Sequence, residues 1–486
     1  MQKIQNYIDG KMLDPQGGKF LDNVSPLTGL AYSQVPDSSE ADIHKAVESA
    51  EKAKYKWNRS SLAERKKVLR KLADGIAKQL EPLAMAETID NGKPISVSRT
   101  VDIPRSSTNF EFFADIITSF SGDSFSTDQF AHNITVKSPL GIVGCISPWN
   151  LPLYLMTWKI APALATGNCT IVKPSEVTPM TAYLFSKICQ EADLAPGVLN
   201  IIHGTGPNAG SPLVTHPGIK AISFTGSTAT GKAINQMASG QFKKVSLEMG
   251  GKNPTIIFDD CDLEKAVSGT LRASFSNQGQ ICLCGSRILI QKGIYPEFKK
   301  RLIEKAAKLK VADPRDEKTQ VGAIVSQVHF NKVMGHIDLA KKEGGELLLG
   351  GHSVQLADEL SGGFYIAPTI FENLPQQCKT NMNEIFGPMV TLQPFETEEE
   401  AVKIANATNY GLSCSIWTSN SARSLRIARD IQTGIVWINT WMMRDLRTPF
   451  GGSKDSGMGR EGGTYGLNFF TEPKNICISY DQESHS

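Results

Sequence analysis

A cysteine stands at position 282, inside Asn277-Gln278-Gly279-Gln280-Ile281-Cys282-Leu283-Cys284. Glycine and amide residues suit a tight loop whose backbone N–H groups stay free. A nucleophilic thiol needs such donors and partial access. A buried structural cysteine fits the same pattern, and Cys284 is a rival two residues on. An acid stands in Leu247-Glu248-Met249-Gly250-Gly251-Lys252-Asn253-Pro254. Apolar neighbours raise the pKa of such a carboxyl and let it act as a base. A solvated loop acid is the plain alternative. Ser147-Pro148-Trp149-Asn150-Leu151-Pro152 follows a strand-like run. Its prolines fix a turn, and Asn150 offers the rigid amide donor that an oxyanion hole requires. A turn-forming Asn beside Pro gives the same pattern.

Three further stretches suit a nucleotide. Phe224-Thr225-Gly226-Ser227-Thr228-Ala229-Thr230-Gly231-Lys232-Ala233 follows a strand and opens a helix. Small residues at a helix N-terminus leave N–H groups free for phosphate. The stretch falls short of a mononucleotide P-loop, because Ala233 stands where a magnesium-binding hydroxyl is needed. The G-x-G-x-x-G dinucleotide fingerprint is missing too. Ile171-Val172-Lys173-Pro174-Ser175-Glu176 lies at another strand end, where a Lys and an acid can hold ribose hydroxyls. The acid disfavours a 2′-phosphate, so NAD is expected rather than NADP. Glu384-Ile385-Phe386-Gly387-Pro388 sets an acid and an aromatic beside a turn.

These stretches must be held by a scaffold. Apolar β-branched runs at 141–147, 169–173, 198–203 and 221–225 alternate with helix-like 152–166, 177–193, 207–215 and 228–239. That alternation predicts a parallel sheet covered on both faces, with ligands beyond the carboxyl ends of its strands. A second α/β set begins after Gly250-Gly251, with strands at 254–259 and 286–291 and a helix at 296–309. Earlier, a helix is expected over 40–56, and another from the Ser61-to-Glu64 capping box, turning Leu62, Leu69, Leu72, Ile76 and Leu80 inward until Asn91. Residues 120–138 and 474–480 fit neither set. Each would be an exposed strand edge unless paired, with a partner subunit as one cover and a mobile hairpin and tail as the plain alternative.

The 486 residues exceed one hydrophobic core, so two or three domains are expected. With 51 basic against 49 acidic residues, charge gives no reason to expect nucleic acid or a membrane surface. No apolar run approaches the ~18–20 residues of a membrane span, and no secretory signal opens the chain. Nine scattered cysteines argue for a reducing, cytoplasmic setting, with Cys145, Cys169 and Cys189 as core thiols. No metal site is expected: C-x-x-C is absent and the eight histidines are dispersed.

Taken together and in order, 148–152 (PWNLP), 173–176 (KPSE), 224–231 (FTGSTATG), 247–253 (LEMGGKN), 279–282 (GQIC), 384–388 (EIFGP) and 450–461 (FGGSKDSGMGRE) resemble the aldehyde dehydrogenase superfamily over nearly the whole chain. The resemblance implies an α/β fold. A Rossmann-like NAD-binding domain would take 1–118 and 141–249, a catalytic domain 250–450, and a small β oligomerisation element 119–140 and 465–486. It implies a homodimer or homotetramer. It implies attack on an aldehyde by Cys282, an oxyanion held by Asn150, hydride transfer to NAD, and hydrolysis of the thioester by water that Glu248 activates. Cofactor contacts are expected from Ile146, Ser147, Trp149, Lys173, Ser175, Glu176, Gly206, Phe224, Gly226, Ser227, Met249, Glu384 and Phe386.

Two arginines address the substrate. Arg105 lies in Asp102-Ile103-Pro104-Arg105, and Arg444 in Arg444-Asp445-Leu446-Arg447. Arginine takes a carboxylate in two-pronged fashion, whereas an apolar aldehyde tunnel would exclude such charges. These segments, with Cys282-Leu283-Cys284, resemble the branch that oxidises 2-aminomuconate or 2-hydroxymuconate semialdehyde. Arg105 and Arg444 are read as a carboxylate clamp, with Leu151, Trp158 and Phe450 beside the substrate and Arg447 as the substitute. Surface or salt-bridged arginines are the alternative. Rival functions are a broad-specificity aldehyde dehydrogenase, an acylating enzyme that passes its thioester to coenzyme A, and a non-catalytic crystallin-like protein. Glu248 argues against the second, and the intact Cys282, Asn150 and Glu248 against the third.

Overall fold

Five parallel strands lie in the order Leu199–Ile201, Cys169–Lys173, Ile142–Ile146, Ala221–Thr225 and Lys244–Glu248 in a computed structural model that describes residues 1–480. The chain winds outward from Ile142–Ile146 in one direction, then returns and winds in the other. The order therefore reverses between Ile142–Ile146 and Ala221–Thr225, and such a switch point opens a crevice beyond the carboxyl ends. Ser147–Asn150, Lys173–Glu176 and Gly226–Ser227 all follow carboxyl ends of this sheet. Burial on both faces explains the uninterrupted apolar strands, and helix Pro152–Ala165, packed on the central pair, is buried along its whole length. Antiparallel pairs finish the edges. Asn6–Ile8 extends one side, and Gly457–Met458 returns late in the chain to pair with Leu247 and Glu248.

A second, mostly parallel sheet runs Glu346–Leu349, Thr369–Glu372, Met389–Phe395, Gly285–Gln291, Asn253–Ile257, Ser413–Trp417 and Ile435–Ile438. Only Glu346–Leu349 is antiparallel to its neighbour. Residues 249–252 pass from the carboxyl end of the first sheet to the amino end of the second. Cys282 and Phe386 precede strands Gly285–Gln291 and Met389–Phe395, so they also lie at amino ends.

The helical expectations need some correction. One helix expected from Ser61 to Asn91 is two, Leu62–Lys78 and Leu80–Asn91. Pro82 has no N–H to donate back to Lys78, which ends the first ladder. Leu62 is exposed in the first turn, while Leu69, Leu72 and Ile76 are wholly buried. The 207–215 stretch is a π turn, Gly206–Gly210, followed by the short helix Ser211–Thr215.

The two unassigned segments pair with each other. Thr471–Ser479 is antiparallel to Ala131–Pro139 over nine residue pairs, and Ser124–Thr127 adds a third strand. The 120–138 and 474–480 segments are thus neither isolated nor wholly unpaired, because alternation in both gives one register that closes both ladders. Residues 481–486 of the expected oligomerisation element lie outside the described residues.

Candidate active site

Two connected cavities open at the switch point. The larger, about 590 Å³, is lined by Ile146, Ser147, Trp149, Lys173, Ser175, Glu176, Gly206, Phe224, Gly226 and Ser227. The smaller, about 240 Å³, shares Trp149, Gly226 and Ser227 and continues to Met249, Glu384, Phe386, Asn150 and Cys282. Every residue expected to contact the cofactor therefore lines one groove, which ends at the thiol.

Local chemistry shapes that groove for a dinucleotide. Lys173 Nζ lies 3.0 Å from Glu176 Oε2, which sets a cation and an anion side by side for ribose hydroxyls. Ser227 caps helix Thr228–Ser239 by accepting from the Thr230 N–H at 3.2 Å. Lys232 is drawn away to Asp455 at 3.1 Å, unlike a P-loop lysine. A Cβ on Gly226 would lie 2.4 Å from the Phe224 ring, so only glycine lets the turn pass. Glu384 Oε1 accepts from the Gly251 N–H at 3.0 Å, and a Cβ on Gly250 would meet that oxygen at 1.8 Å. Phe386 holds a left-handed φ of 63°. His329 Nε2 donates to its carbonyl at 2.7 Å, and Trp149 meets its ring edge-on at 5.3 Å. These donors, ring walls and the paired Lys173 and Glu176 fit a nicotinamide dinucleotide.

The thiol loop is strained and tightly held. Asn277 and Gln278 have φ of 49° and 55°, a conformation that costs on the order of 1–3 kcal/mol per non-glycine residue. Asn277 Nδ2 donates to Asn150 O at 3.2 Å, and Gln278 Nε2 donates to Ala323 O at 2.8 Å. Gly279 has a φ of +70°, and a Cβ there would strike Gly387 O at 2.1 Å. Asn253 Nδ2 then holds the carbonyls of Cys282 at 2.7 Å and Cys284 at 3.0 Å. Cys282 is partly exposed at the cavity floor, whereas Cys284 is buried. Cys145, Cys169 and Cys189 are buried as expected of core thiols.

Burial, then the negative field of Glu248, pushes the Cys282 thiol up to about 12. The thiol must therefore lose a proton before it can attack. Asn150 is buried, and its Nδ2 donates to Gln280 O at 2.9 Å. A primary amide has a second N–H, and Asn150 lines the same cavity as Cys282. Glu248 ends its strand 3 % exposed, with neither carboxyl oxygen hydrogen-bonded. Burial raises it well above the usual carboxylate range, with Glu461 adding to the rise. A Cβ on Gly451 would approach its Oε1 to 2.7 Å. Behind it, Lys159 Nζ meets Glu461 at 2.7 Å and Ser223 Oγ at 3.1 Å.

The expected substrate residues gather around Tyr154 and Trp158. Arg105 Nε donates to Asn109 Oδ1 at 3.1 Å, and its guanidinium stacks 5.3 Å from the Tyr154 ring. Arg444 Nη1 donates to the Tyr154 hydroxyl at 3.2 Å and stacks 3.9 Å from Phe450. Both arginines reach Trp158. Leu151 packs with Tyr154 and Leu155 as the apolar wall. Neither arginine has a carboxylate partner among the described residues, and Arg105 Nη2 is buried with none at all. Arg447, expected as the substitute, is 75 % exposed and bonded to Asp445 at 2.6 Å.

Some neighbours escaped sequence reasoning. Tyr154 stands four residues before Trp158 on one helix, so the two share a face, and that spacing was a usable signal. His329 and Lys332 line the smaller cavity from helix Gln327–Lys342, with no local pattern to mark them. Lys159 and Glu461 are 302 residues apart in the chain.

Comparison with known proteins identifies the family. Residues 12–476 match the model of the aldehyde dehydrogenase family. The chain is 46% identical over 480 residues to a 2-aminomuconic semialdehyde dehydrogenase of Danio rerio, covering 98% of each. It is 43% identical to a 2-hydroxymuconic semialdehyde dehydrogenase of Pseudomonas sp. (strain CF600), covering 98% of this chain and all of that one. The NAD+ complex of an aldehyde dehydrogenase from Bacillus cereus superposes with a TM-score of 0.95 at 35% identity, covering 99% of this chain and 97% of that one. The chain belongs to the aldehyde dehydrogenase family.

Proposed function

We propose that this enzyme uses NAD to oxidise a carboxylate-bearing semialdehyde, of the 2-aminomuconate or 2-hydroxymuconate 6-semialdehyde kind, to the acid through a thioester on Cys282. One observation carries the substrate class: Arg105 and Arg444 converge on Tyr154 and Trp158, and among the described residues neither is paired with an acid. Both guanidiniums are half-buried, and a partly desolvated cation without a counter-charge carries a cost that a substrate carboxylate removes. Relatives named for muconic semialdehydes support the same class.

Cys282 gives up its proton to solvent, and the thiolate attacks the aldehyde carbon. The free amide N–H of Asn150 and the backbone N–H of Cys282 hold the oxygen as it gains charge. Bound NAD supplies the hydride acceptor. Glu248 then draws a proton from water, which attacks the thioester and releases the acid. Lys173, Ser175 and Glu176 hold ribose, Ser147, Trp149, Gly206 and Ser227 surround the diphosphate, and Glu384 and Phe386 position the nicotinamide end. Ile146, Phe224, Gly226 and Met249 shape the walls.

The first sheet and its helices, in 1–118 and 141–249, bind the cofactor, and 250–450 carries the thiol. The sheet of 119–140 and 465–480 joins subunits, because Ile134, Val136, Ile476 and Ile478 leave an apolar face open.

The test follows reduced cofactor by absorbance with muconic semialdehydes and with uncharged aldehydes of equal length. Carboxylated substrates should show the higher kcat/KM. Equal values would remove the substrate class and leave the oxidation standing. No reduced cofactor with any aldehyde would remove both.

A further inference from the structure

Lys93 is wholly buried, and its ammonium makes three hydrogen bonds to three separate segments. It donates to Glu87 Oε1 at 3.1 Å, to Asp102 Oδ2, and to the backbone carbonyl of Asn150 at 3.0 Å. An ammonium has three N–H groups, so none is left over. Glu87 lies near the end of helix Leu80–Asn91, and Asp102 closes the π turn Ser98–Asp102. Arg105 follows three residues later, in helix Ile103–Ile116. Asn91 Nδ2 also reaches Trp149 O at 2.9 Å and Asn150 O at 3.4 Å.

This arrangement is a poor device for stability alone. Desolvating a cation and two acids costs several kcal/mol per ion, and apolar replacement of such groups is often neutral or stabilising. What it does is fix a geometry. Asn150 must aim one amide N–H at an oxygen beside Cys282, and small displacements of such a donor are costly in rate. A turn held at its carbonyl by a saturated ammonium cannot swing.

We propose that Lys93, held by Glu87 and Asp102, is a positioning residue that locks Asn150 as oxyanion donor and ties that turn to the segment bearing Arg105. This rests on the reading of Asn150 given above. Burial raises Glu87 well above the usual carboxylate range, and Asp102 is the nearer acid partner of the ammonium. A charge-balanced replacement is therefore Lys93→Met with Asp102→Asn.

The experiment measures cofactor affinity by fluorescence titration and the single-turnover rate of reduced-cofactor formation. In the double variant, affinity should stay within about twofold, while the rate falls by about tenfold to a hundredfold, less than the 10²–10³ typical of deleting a donor outright. In an Asn150→Ala background the same pair should cost less than about threefold, because the group being positioned is gone. A parental rate in the double variant overturns the proposal. So does a loss that carries undiminished into the Asn150→Ala background, since a general structural defect would multiply through. If Asn150→Ala alone keeps the parental rate, the oxyanion reading has failed, and the role of Lys93 goes with it. Should the double variant not fold, Asp102→Asn alone removes one anchor of the ammonium. It should slow the same step several-fold, and an unchanged rate again overturns the proposal.

Discussion

Arg105 and Arg444 stack on the same indole, their guanidinium carbons 5.7 and 5.6 Å from the Trp158 ring. Burial pushes Arg105 below the usual arginine range, and the charge of Arg444 adds to the fall. Two like charges held together by aromatic rings invite an anion. Arg105→Ala and Arg444→Ala should each cost about 2 kcal/mol, roughly thirtyfold in kcat/KM, with carboxylated aldehydes. Neutral aldehydes should lose little. Arg447→Ala should leave both substrates unchanged, because that side chain faces solvent and Asp445. Equal losses across the substrate panel would refute the clamp.

Glu248→Gln separates the two halves of the reaction. An amide cannot accept the proton of water, so an acyl-enzyme should accumulate and appear by intact mass on Cys282. The parent should show a matching pH limb. A carboxyl raised by burial is protonated at low pH and useless as a base until it ionises. Turnover should therefore fall as pH drops through a value above the ordinary ~4.3 of glutamate. The Gln variant should lack that limb. Unchanged hydrolytic turnover in Glu248→Gln would reassign the base.

Legibility in the sequence followed the range of the physics. Strand runs such as 169–173 and 221–225 were readable because continuous burial selects continuous β-branched residues. The groove was readable because strand-end glycines and prolines such as Gly226 and Pro148 serve local backbone shape. The pairing of Thr471–Ser479 with Ala131–Pro139 was not, since alternation marks a strand without naming its neighbour. Nor was Lys93 beneath Asn150: the two are 57 residues apart, and a buried lysine carries no periodic signature.

Gly250 is a steric test of Glu384. Its backbone is not left-handed, so alanine is tolerated by the chain itself. The added methyl would overlap the Glu384 carboxylate and push it from the Gly251 N–H. Losing one charge-assisted contact at the nicotinamide end should raise the Kd for NAD by about tenfold, measured by titration calorimetry. An unchanged Kd would place Glu384 outside cofactor binding.

The open β-face makes the final prediction. Ile134 and Ile476 stand directly opposite each other in the ladder, and Val136 and Ile478 share their face two residues along. They are 36 to 48 % exposed. Apolar side chains presented together on one sheet surface favour a second apolar surface over water, and a copy of the same sheet supplies one. Ile476→Asp with Ile478→Asp introduces two charges that neither copy can bury. Light scattering after size exclusion should report the mass of several chains for the parent and of one chain for the variant. The catalytic groove lies in other sheets, so cofactor binding should persist. A variant that keeps the parental mass would mean that some other surface joins the subunits.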